Sequence, residues 1–128
     1  MSFVIEVEHR FPAVQGLPSP VRARRGLTLI PPGQGVVVVV TAGVRFADEQ
    51  LTDWGWFLDT DAVSETLATI CADLSKRPWT EVFDFRPTFE QVARHLFGQL
   101  TPLIPQLDFV ALRDETFGVT TRYASARQ

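Results

Sequence analysis

The most constraining feature of the sequence is a run of five consecutive valines, Val36–Val40, which continues through Thr41 to Phe46. β-Branched side chains fit the pleated surface of a strand and lose side-chain freedom in a helix, so the run predicts a β-strand. Because the run is apolar throughout, the strand should be covered on both faces or line an interface. The chain is therefore expected to build a β-sheet that buries this segment.

Three other strands follow from the sequence pattern. Over residues 2–12, side chains expected to face the core alternate with mostly polar ones, which predicts a first strand with one buried face. The stretch from Pro12 to Gly35 holds five prolines and four glycines, which predicts a long connection. Two further strands are expected at 109–116 and 119–123, on either side of Gly118.

Two helices follow from apolar residues spaced three and four apart. The first is predicted near 60–75, after the capping oxygens of Asp59–Thr60. The second is predicted near 89–101, where Thr88 and Gln91 have the spacing of a reciprocal capping box. Both helices therefore have an apolar stripe that needs a sheet to cover it.

The order of these elements predicts an α+β fold, a four-stranded antiparallel sheet with two helices on one face. At 128 residues the chain has room for one domain, so residues 1–128 are expected to form a single domain. The edge strands would need covering, and assembly with further copies is one way to cover them.

Charge and hydropathy exclude several classes of partner. The chain has 12 basic and 15 acidic residues, a net charge of −3, and so lacks the basic excess of a nucleic-acid-binding protein. No apolar run approaches the ~20 residues that span a bilayer, and the N-terminus lacks the basic start of a signal peptide. We therefore expect a cytoplasmic protein with a small-molecule ligand, and no nucleic-acid or membrane partner. Arg22, Arg24 and Arg25 are the local exception, and their Pro/Gly-rich surroundings favour a solvated loop over an anion site.

The two histidines and one cysteine do not supply the three imidazoles of a common catalytic zinc site, and only a mixed site with carboxylates stays open. By parity His9 faces inward from the first strand, where a hydrogen-bonded core histidine is favoured over a catalytic one. His95 falls between the apolar positions of the second helix and is expected to be exposed. Cys71 adjoins the apolar stripe of the first helix, so it is predicted to fill the core rather than to act as a nucleophile.

Carboxylates supply the positive candidates. Asp114, Glu115 and Thr116 interrupt an apolar strand and must face solvent, a partner chain or a polar ligand, with solvent favoured from the residues alone. Asp84, between two phenylalanines, is a second acid–base candidate. Aromatic residues that could line a pocket precede both helices, although core packing is the simpler interpretation of each; they are Trp54, Trp56, Trp79, Phe83 and Phe85.

Five segments lie in order along nearly the whole chain: Phe11–Leu17, Pro32–Gly35, Gly55–Asp59, Pro87–Ala93, and Glu115–Thr116 with Tyr123. Together they resemble the 6-pyruvoyl-tetrahydropterin synthase and 6-carboxy-tetrahydropterin synthase family. Phe11–Leu17 is similar to that family's Phe-Ser-Ala-Ala-His-x-Leu, and Pro32–Gly35 to the His-Gly-His-Asn before its second strand. Gly55–Asp59 is similar to its Gly-Met-Val-Val-Asp, and Pro87–Ala93 to its Pro-Thr-x-Glu-Asn-Leu-Ala. Glu115 and Thr116, with Tyr123 further on, are similar to its terminal Glu-Thr and aromatic residue.

The resemblance implies a tunnelling fold whose subunits assemble into a barrel, a homo-oligomer such as a trimer or hexamer, with pockets between chains. It also implies a loss of the family's chemistry. The three zinc-binding histidines fall on Gln15, Pro32 and Gln34, and a proline side chain has no donor atom. The family's cysteine has no counterpart in Gly26–Ile30, and its Leu-Asp-His relay aligns with Leu74–Lys76. Neither zinc nor another cofactor is therefore expected, nor is authentic pterin synthase activity.

What the resemblance retains is Glu115, which matches the carboxylate that binds the pterin's amino-pyrimidine edge, with Thr88 near that anchor. The leading prediction is a repurposed, zinc-independent enzyme that binds a small cyclic metabolite between subunits and directs a cyclisation, elimination or isomerisation. Glu115 would bind the ligand or act as acid–base, with Asp84 and Lys76 as further catalytic candidates. A non-catalytic ligand-binding or assembly protein derived from a pterin synthase fits Glu115 and Thr88 equally well. The further ligand-binding candidates are Thr88, Thr116, Gln15 and Gln34.

Overall fold

The computed structural model describes residues 1–17, 25–26, 35–53, 55 and 57–125. These residues form four β-strands and three α-helices, in the predicted order except for a short second helix that the pattern did not indicate. No helix among them is long and apolar enough to cross a membrane. The elements are β1 (Ser2–Ala13), β2 (Val36–Ala47), a 3₁₀ turn (Asp48–Gln50), α1 (Thr60–Lys76), α2 (Trp79–Val82), α3 (Phe89–Leu100), β3 (Leu107–Asp114) and β4 (Val119–Ala124).

The strands form one antiparallel sheet in the order β1-β2-β3-β4. The valine strand β2 lies inside it, with Val40 opposite His9 on one side and Leu112 on the other. This position explains why β2 has no exposed residue from Val38 to Val44. The sheet and its helices confirm the predicted α+β class.

The helices cover one face of the sheet. Helix α1 packs on β1, and α3 packs on β3 and β4. Leu67 of α1 and Val92 of α3 are fully buried against this face, together with strand residues such as Val38. Trp79 of α2 is also fully buried, and its indole Nε1–H donates to the carbonyl of Leu74 at 3.0 Å. The apolar stripes that the sequence pattern predicted therefore form the core.

The opposite face, here termed the bare face, carries Arg10, Thr41, Phe109 and Arg122, and no described element covers it. Phe109 is buried nonetheless, because its ring lies over Gly43 and beneath the Arg122 guanidinium, which is 3.8 Å from the ring centroid. A Cβ added to Gly43 would lie 2.0 Å from Phe109 Cε1, so residue 43 must be glycine for the ring to sit there. On the bare face, β2 is therefore covered by side chains of neighbouring strands and not by a helix.

Two local predictions were wrong. The third strand ends at Asp114, so Glu115 and Thr116 lie in a turn and do not interrupt a strand. The turn is stable because Asp114 Oδ1 accepts the backbone N–H of Thr116 at 2.9 Å and that of Phe117 at 3.3 Å.

The capping box at α3 is only half formed. Thr88 Oγ1 accepts the backbone N–H of Gln91 at 3.2 Å, as predicted. The side chain of Gln91 instead accepts from Arg94, and the backbone N–H of Thr88 donates to the carbonyl of Arg86. The helix therefore begins with one side-chain cap.

Candidate functional site

Many of the predicted site residues lie at one end of the sheet, termed the Glu115 end and defined by Arg10, Gln15, Lys76, Thr88 and Glu115. The strands β1 and β3 end there and β2 begins there, because neighbouring strands are antiparallel. Helix α3 begins on the same side, since only a short connection joins its last turn to the start of β3. Residues that are far apart in sequence thus lie at the same end of the sheet, and among them Arg10 contacts the Glu115 carboxylate.

The backbone fixes the position of Glu115. Its N–H donates to the carbonyl of Val37 at 3.0 Å, and the turn that carries it is held by the side chain of Asp114. The Glu115 Oε2 atom lies 2.9 Å from Arg10 Nη2, and the two side chains are 34% and 64% exposed. Because exposed ion pairs contribute little stability, Arg10 can leave this carboxylate at low cost.

Gln15 and Thr88 both have structural partners. Gln15 Nε2–H donates to the carbonyl of Pro87 at 2.9 Å, which ties the end of β1 to the start of α3. The hydroxyl of Thr88 caps α3 through the N–H of Gln91. These two polar groups therefore hold the start of α3 in place. Their side-chain oxygens keep lone pairs that could accept a hydrogen bond from a ligand.

Lys76 is the last residue of α1 and is exposed. It lines a shallow pocket of about 140 Å³, together with the end of β1 from Pro12 to Val14 and with Gly35. Thr116 is exposed in the turn beside Glu115. Gln34 lies outside the described residues.

Asp84 is not part of this arrangement. It lines a separate groove of about 480 Å³ between the three helices, where Phe83, Phe85 and His95 are also found. The prediction that His95 is exposed was wrong, because its ring packs against Phe83 and Phe85 at centroid distances of 5.2 and 5.4 Å. Phe83 and Phe85 therefore both pack against the core and line a groove, so each of the two interpretations describes part of their surroundings.

The other predicted aromatic and basic positions are less informative. Trp79 belongs to the core rather than to a pocket surface. Arg25 is exposed, whereas Arg22 and Arg24, like Trp54 and Trp56, lie outside the described residues.

Cys71 lies in the core as predicted, whereas His9 is not one of the buried core residues. His9 is half-buried, and its ring stacks on Phe11 at a centroid distance of 5.6 Å. Cys71 is 1% exposed, and this burial raises the pKa of its thiol to about 12. Because the thiolate is the nucleophilic form of cysteine, a thiol that stays protonated at neutral pH is inert. Cys71 is therefore a core residue.

The one described position that matches a zinc-binding histidine of the family does not fit a zinc ion. Gln15, which matches one family histidine, directs its amide N–H to a carbonyl, and an amide is a poor replacement for imidazole in a zinc site. Pro32 and Gln34 match the other two, and both lie outside the described residues. In the part of the chain that the structure describes, no three His, Cys, Asp or Glu side chains come together as a metal-binding group. We assign no step to a metal, and independence from zinc stays a prediction.

Sequence reasoning missed two arginine–carboxylate pairs. Arg10 is the partner of Glu115, and only the strand register brings the two together. At the far end of the sheet, Arg45 Nη2 lies 3.3 Å from Asp108 Oδ2, and Arg45 Nη1–H donates to Ser2 Oγ at 3.3 Å. This second group, termed the Arg45 end, has no signal in the sequence because its members are far apart along the chain.

Comparison with known proteins supports the same architecture. A solved structure of Caenorhabditis elegans 6-pyruvoyl tetrahydropterin synthase matches 98% of this chain and 97% of that chain, with a TM-score of 0.70 and 15% sequence identity. No protein-family model matches the chain, and no curated protein matches it either. At 15% identity the likeness is evidence about fold and leaves activity open. The resemblance drawn from the sequence motifs is therefore confirmed at the level of fold: the chain has the fold of 6-pyruvoyl tetrahydropterin synthase.

Proposed function

We propose that the chain is a zinc-independent enzyme of pterin-synthase-like fold that binds a small cyclic metabolite at the Glu115 end. The reaction that we propose is a cyclisation, elimination or isomerisation. The observation that supports this most is the Glu115 carboxylate itself. It is fixed by a backbone hydrogen bond to Val37, it is one-third exposed, and its ion-pair partner is an exposed arginine.

Such a carboxylate suits a ring with two adjacent N–H donors. Two parallel N–H···O bonds to one carboxylate give both energy and orientation, and the amino-pyrimidine edge of a pterin offers this pattern. The side chain of Arg10 would leave Glu115 when the ring binds, because an exposed ion pair is worth only ~0–1 kcal/mol. Arg10 would then be free to contact a negatively charged substituent of the ligand.

The three reaction types share one requirement, which is the removal of a proton and its delivery to another atom. An isomerisation delivers it to another atom of the ligand, an elimination to the group that departs as the new double bond forms, and a cyclisation to the atom whose multiple bond is opened by the attacking group. None of them needs an external oxidant or reductant. Glu115 would accept the proton as a general base and give it back as an acid, a role that typically contributes 10²–10⁴-fold in rate. Lys76, at the end of α1 on the same side of the sheet, is the proposed second catalytic group.

The pocket would be completed by a second copy of the chain. The outer edges of β1 and β4 have no strand partner among the described residues, and apolar side chains on both are exposed, such as Val4 at 41% and Val119 at 55%. Val119 begins β4 directly opposite Asp114, next to Glu115. A second copy of the chain that pairs with the edge of β4 would therefore enclose the Glu115 carboxylate. We propose a trimer or hexamer built in this way.

The test is binding of pterin, followed by fluorescence, to the wild-type chain and to the Glu115→Gln variant. We expect Glu115→Gln to weaken binding by about tenfold or more, because a charge-assisted hydrogen bond contributes about 1.5–3 kcal/mol. Glu49→Gln, an exposed carboxylate in the 3₁₀ turn, is the matched control and should bind like the wild type. Equal binding by all three proteins, each folded by circular dichroism, would remove Glu115 from the site.

The second candidate function is ligand binding without catalysis. It is favoured because Gln15 and Thr88 use their polar groups in hydrogen bonds that hold Pro87 and Gln91 in place. Mass spectrometry of candidate cyclic metabolites after long incubation with the protein distinguishes the enzyme from the binding protein. A product that forms with wild type and is absent with Glu115→Gln supports the enzyme, and complete recovery of every bound compound supports the binding protein.

A further inference from the structure

The groove between the helices, here termed the helix groove, is a partly open concavity whose lining residues are distinct from those of the Glu115 end. It has a volume of about 480 Å³, and residues of α1, α2, α3 and the connection after α2 line it. Its base is apolar, because Leu74 and Leu96 are 2% and 1% exposed and belong to the core. Its polar lining residues are Asp73 of α1, Asp84 of the connection, and His95 and Gln99 of α3.

Three aromatic rings meet in the wall of the helix groove. The Phe83 and Phe85 rings lie 4.7 Å apart between centroids, and His95 meets Phe83 edge-on at 76°. All three rings are half-buried, so each keeps part of its surface open to solvent. A cluster of this kind offers π-electron density to a cation that enters the groove.

The charged lining residues of the groove are both acidic. Asp73 and Asp84 line it from different elements, and no lysine or arginine is among its lining residues. In the part of the chain that the structure describes, the ion pairs are Arg10–Glu115 and Arg45–Asp108, so neither aspartate has a cationic partner. The groove therefore combines two solvent-exposed carboxylates, neither in an ion pair among the described residues, with an aromatic wall and an apolar base.

We propose that the helix groove binds an organic ammonium ion that carries an apolar group. The carboxylates would accept charge-assisted hydrogen bonds from the ammonium, the rings of Phe83 and Phe85 would face its positive charge, and the apolar group would cover Leu74 and Leu96. A bare metal ion would leave the aromatic wall and apolar base unused, and the described residues contain no group of three metal-binding side chains. An anion would be repelled by both aspartates.

This site goes beyond the proposed function, because none of its lining residues belongs to the Glu115 end. The probe is 2-phenylethylamine, with 2-phenylethanol as the neutral analogue and 3-phenylpropionate as the anionic one. Isothermal titration calorimetry at low salt should give binding of the amine, about tenfold or more weaker binding of the alcohol, and no binding of the acid. Equal affinity for amine and alcohol, or no binding of the amine, would overturn the proposal.

Substitutions of the lining carboxylates test whether the amine binds in the helix groove. Asp84→Asn and Asp73→Asn should each weaken amine binding by about tenfold, because each replaces a charge-assisted hydrogen bond by a neutral one. Glu65→Gln on α1, an exposed carboxylate outside the groove, is the matched control and should not change the affinity. Glu115→Gln should not change it either, which separates this proposal from the failure of the proposed function. A similar loss for Glu65→Gln and Asp84→Asn would mean general electrostatic attraction and would overturn the site.

Discussion

The two ends of the sheet each hold an arginine–carboxylate pair, but the two pairs have different surroundings. At the Arg45 end, the side chain of Asp108 is 9% exposed, and Arg45 is further held through Ser2 and Gln106. At the Glu115 end, the partners are 34% and 64% exposed. Because a charge removed from water must keep its partner whereas an exposed charge need not, the first pair is structural and the second is available for binding.

The comparison predicts that breaking the Arg45 end costs the most stability. Asp108→Ala leaves Arg45 with a buried Nε that already has no hydrogen-bond partner among the described residues. Removing one partner of a buried pair costs about 3–5 kcal/mol, and since 37% of the Arg45 side chain is exposed, we expect about 2–3 kcal/mol. Urea unfolding of wild type and variant measures this difference.

The control is Asp53→Ala, an exposed aspartate beyond the 3₁₀ turn, for which we expect a change within about 0.5 kcal/mol. The double variant Asp108→Leu with Arg45→Leu should recover part of the loss, because an apolar pair leaves no charge unpaired. If Asp108→Ala unfolds at the same urea concentration as wild type, the ion pair at the Arg45 end contributes no more stability than an exposed pair. The proposed difference between the two ends of the sheet would then be wrong.

The sequence carried more information about the fold than about either end. Apolar periodicity gave α1 and α3 to within a residue at each terminus, because a helix stripe is a local signal. The valine run gave β2 for the same reason. The 3₁₀ turn and α2 were missed, since a single helical turn is too short to show a period.

The candidate sites depend on register, which the sequence does not encode locally. Glu115 was singled out as a carboxylate next to an apolar strand and again by the family resemblance. Its partner Arg10 is 105 residues away by numbering and shares no motif with it. The same holds for Arg45 and Asp108, which a register shift next to Gly43 brings together. Asp84 was identified between its phenylalanines, but only the packing of α3 against them placed His95 in the same groove.

A smaller loss of stability is expected from the cap at the Glu115 end. Thr88→Ala removes the oxygen that accepts the N–H of Gln91, which should cost about 1 kcal/mol in urea unfolding. Thr88→Ser keeps that oxygen and should restore most of the stability. If Thr88 acts only as a cap, pterin binding is the same in both variants. A binding defect in Thr88→Ala without loss of stability would instead make Thr88 a ligand-binding residue.

The smallest change in stability is expected for the Arg10–Glu115 pair itself. A double-mutant cycle with Arg10→Gln and Glu115→Gln should give a coupling energy below about 0.5 kcal/mol, and salt should reduce it further, because both side chains are partly in water. The same two variants should differ in pterin binding, since only Glu115→Gln removes the acceptor while Arg10→Gln removes its competitor. A carboxylate with little structural role and a large role in binding is what a ligand site requires. A coupling energy above about 2 kcal/mol would make the pair a structural anchor like that at the Arg45 end, and the main support for the proposed function would be lost.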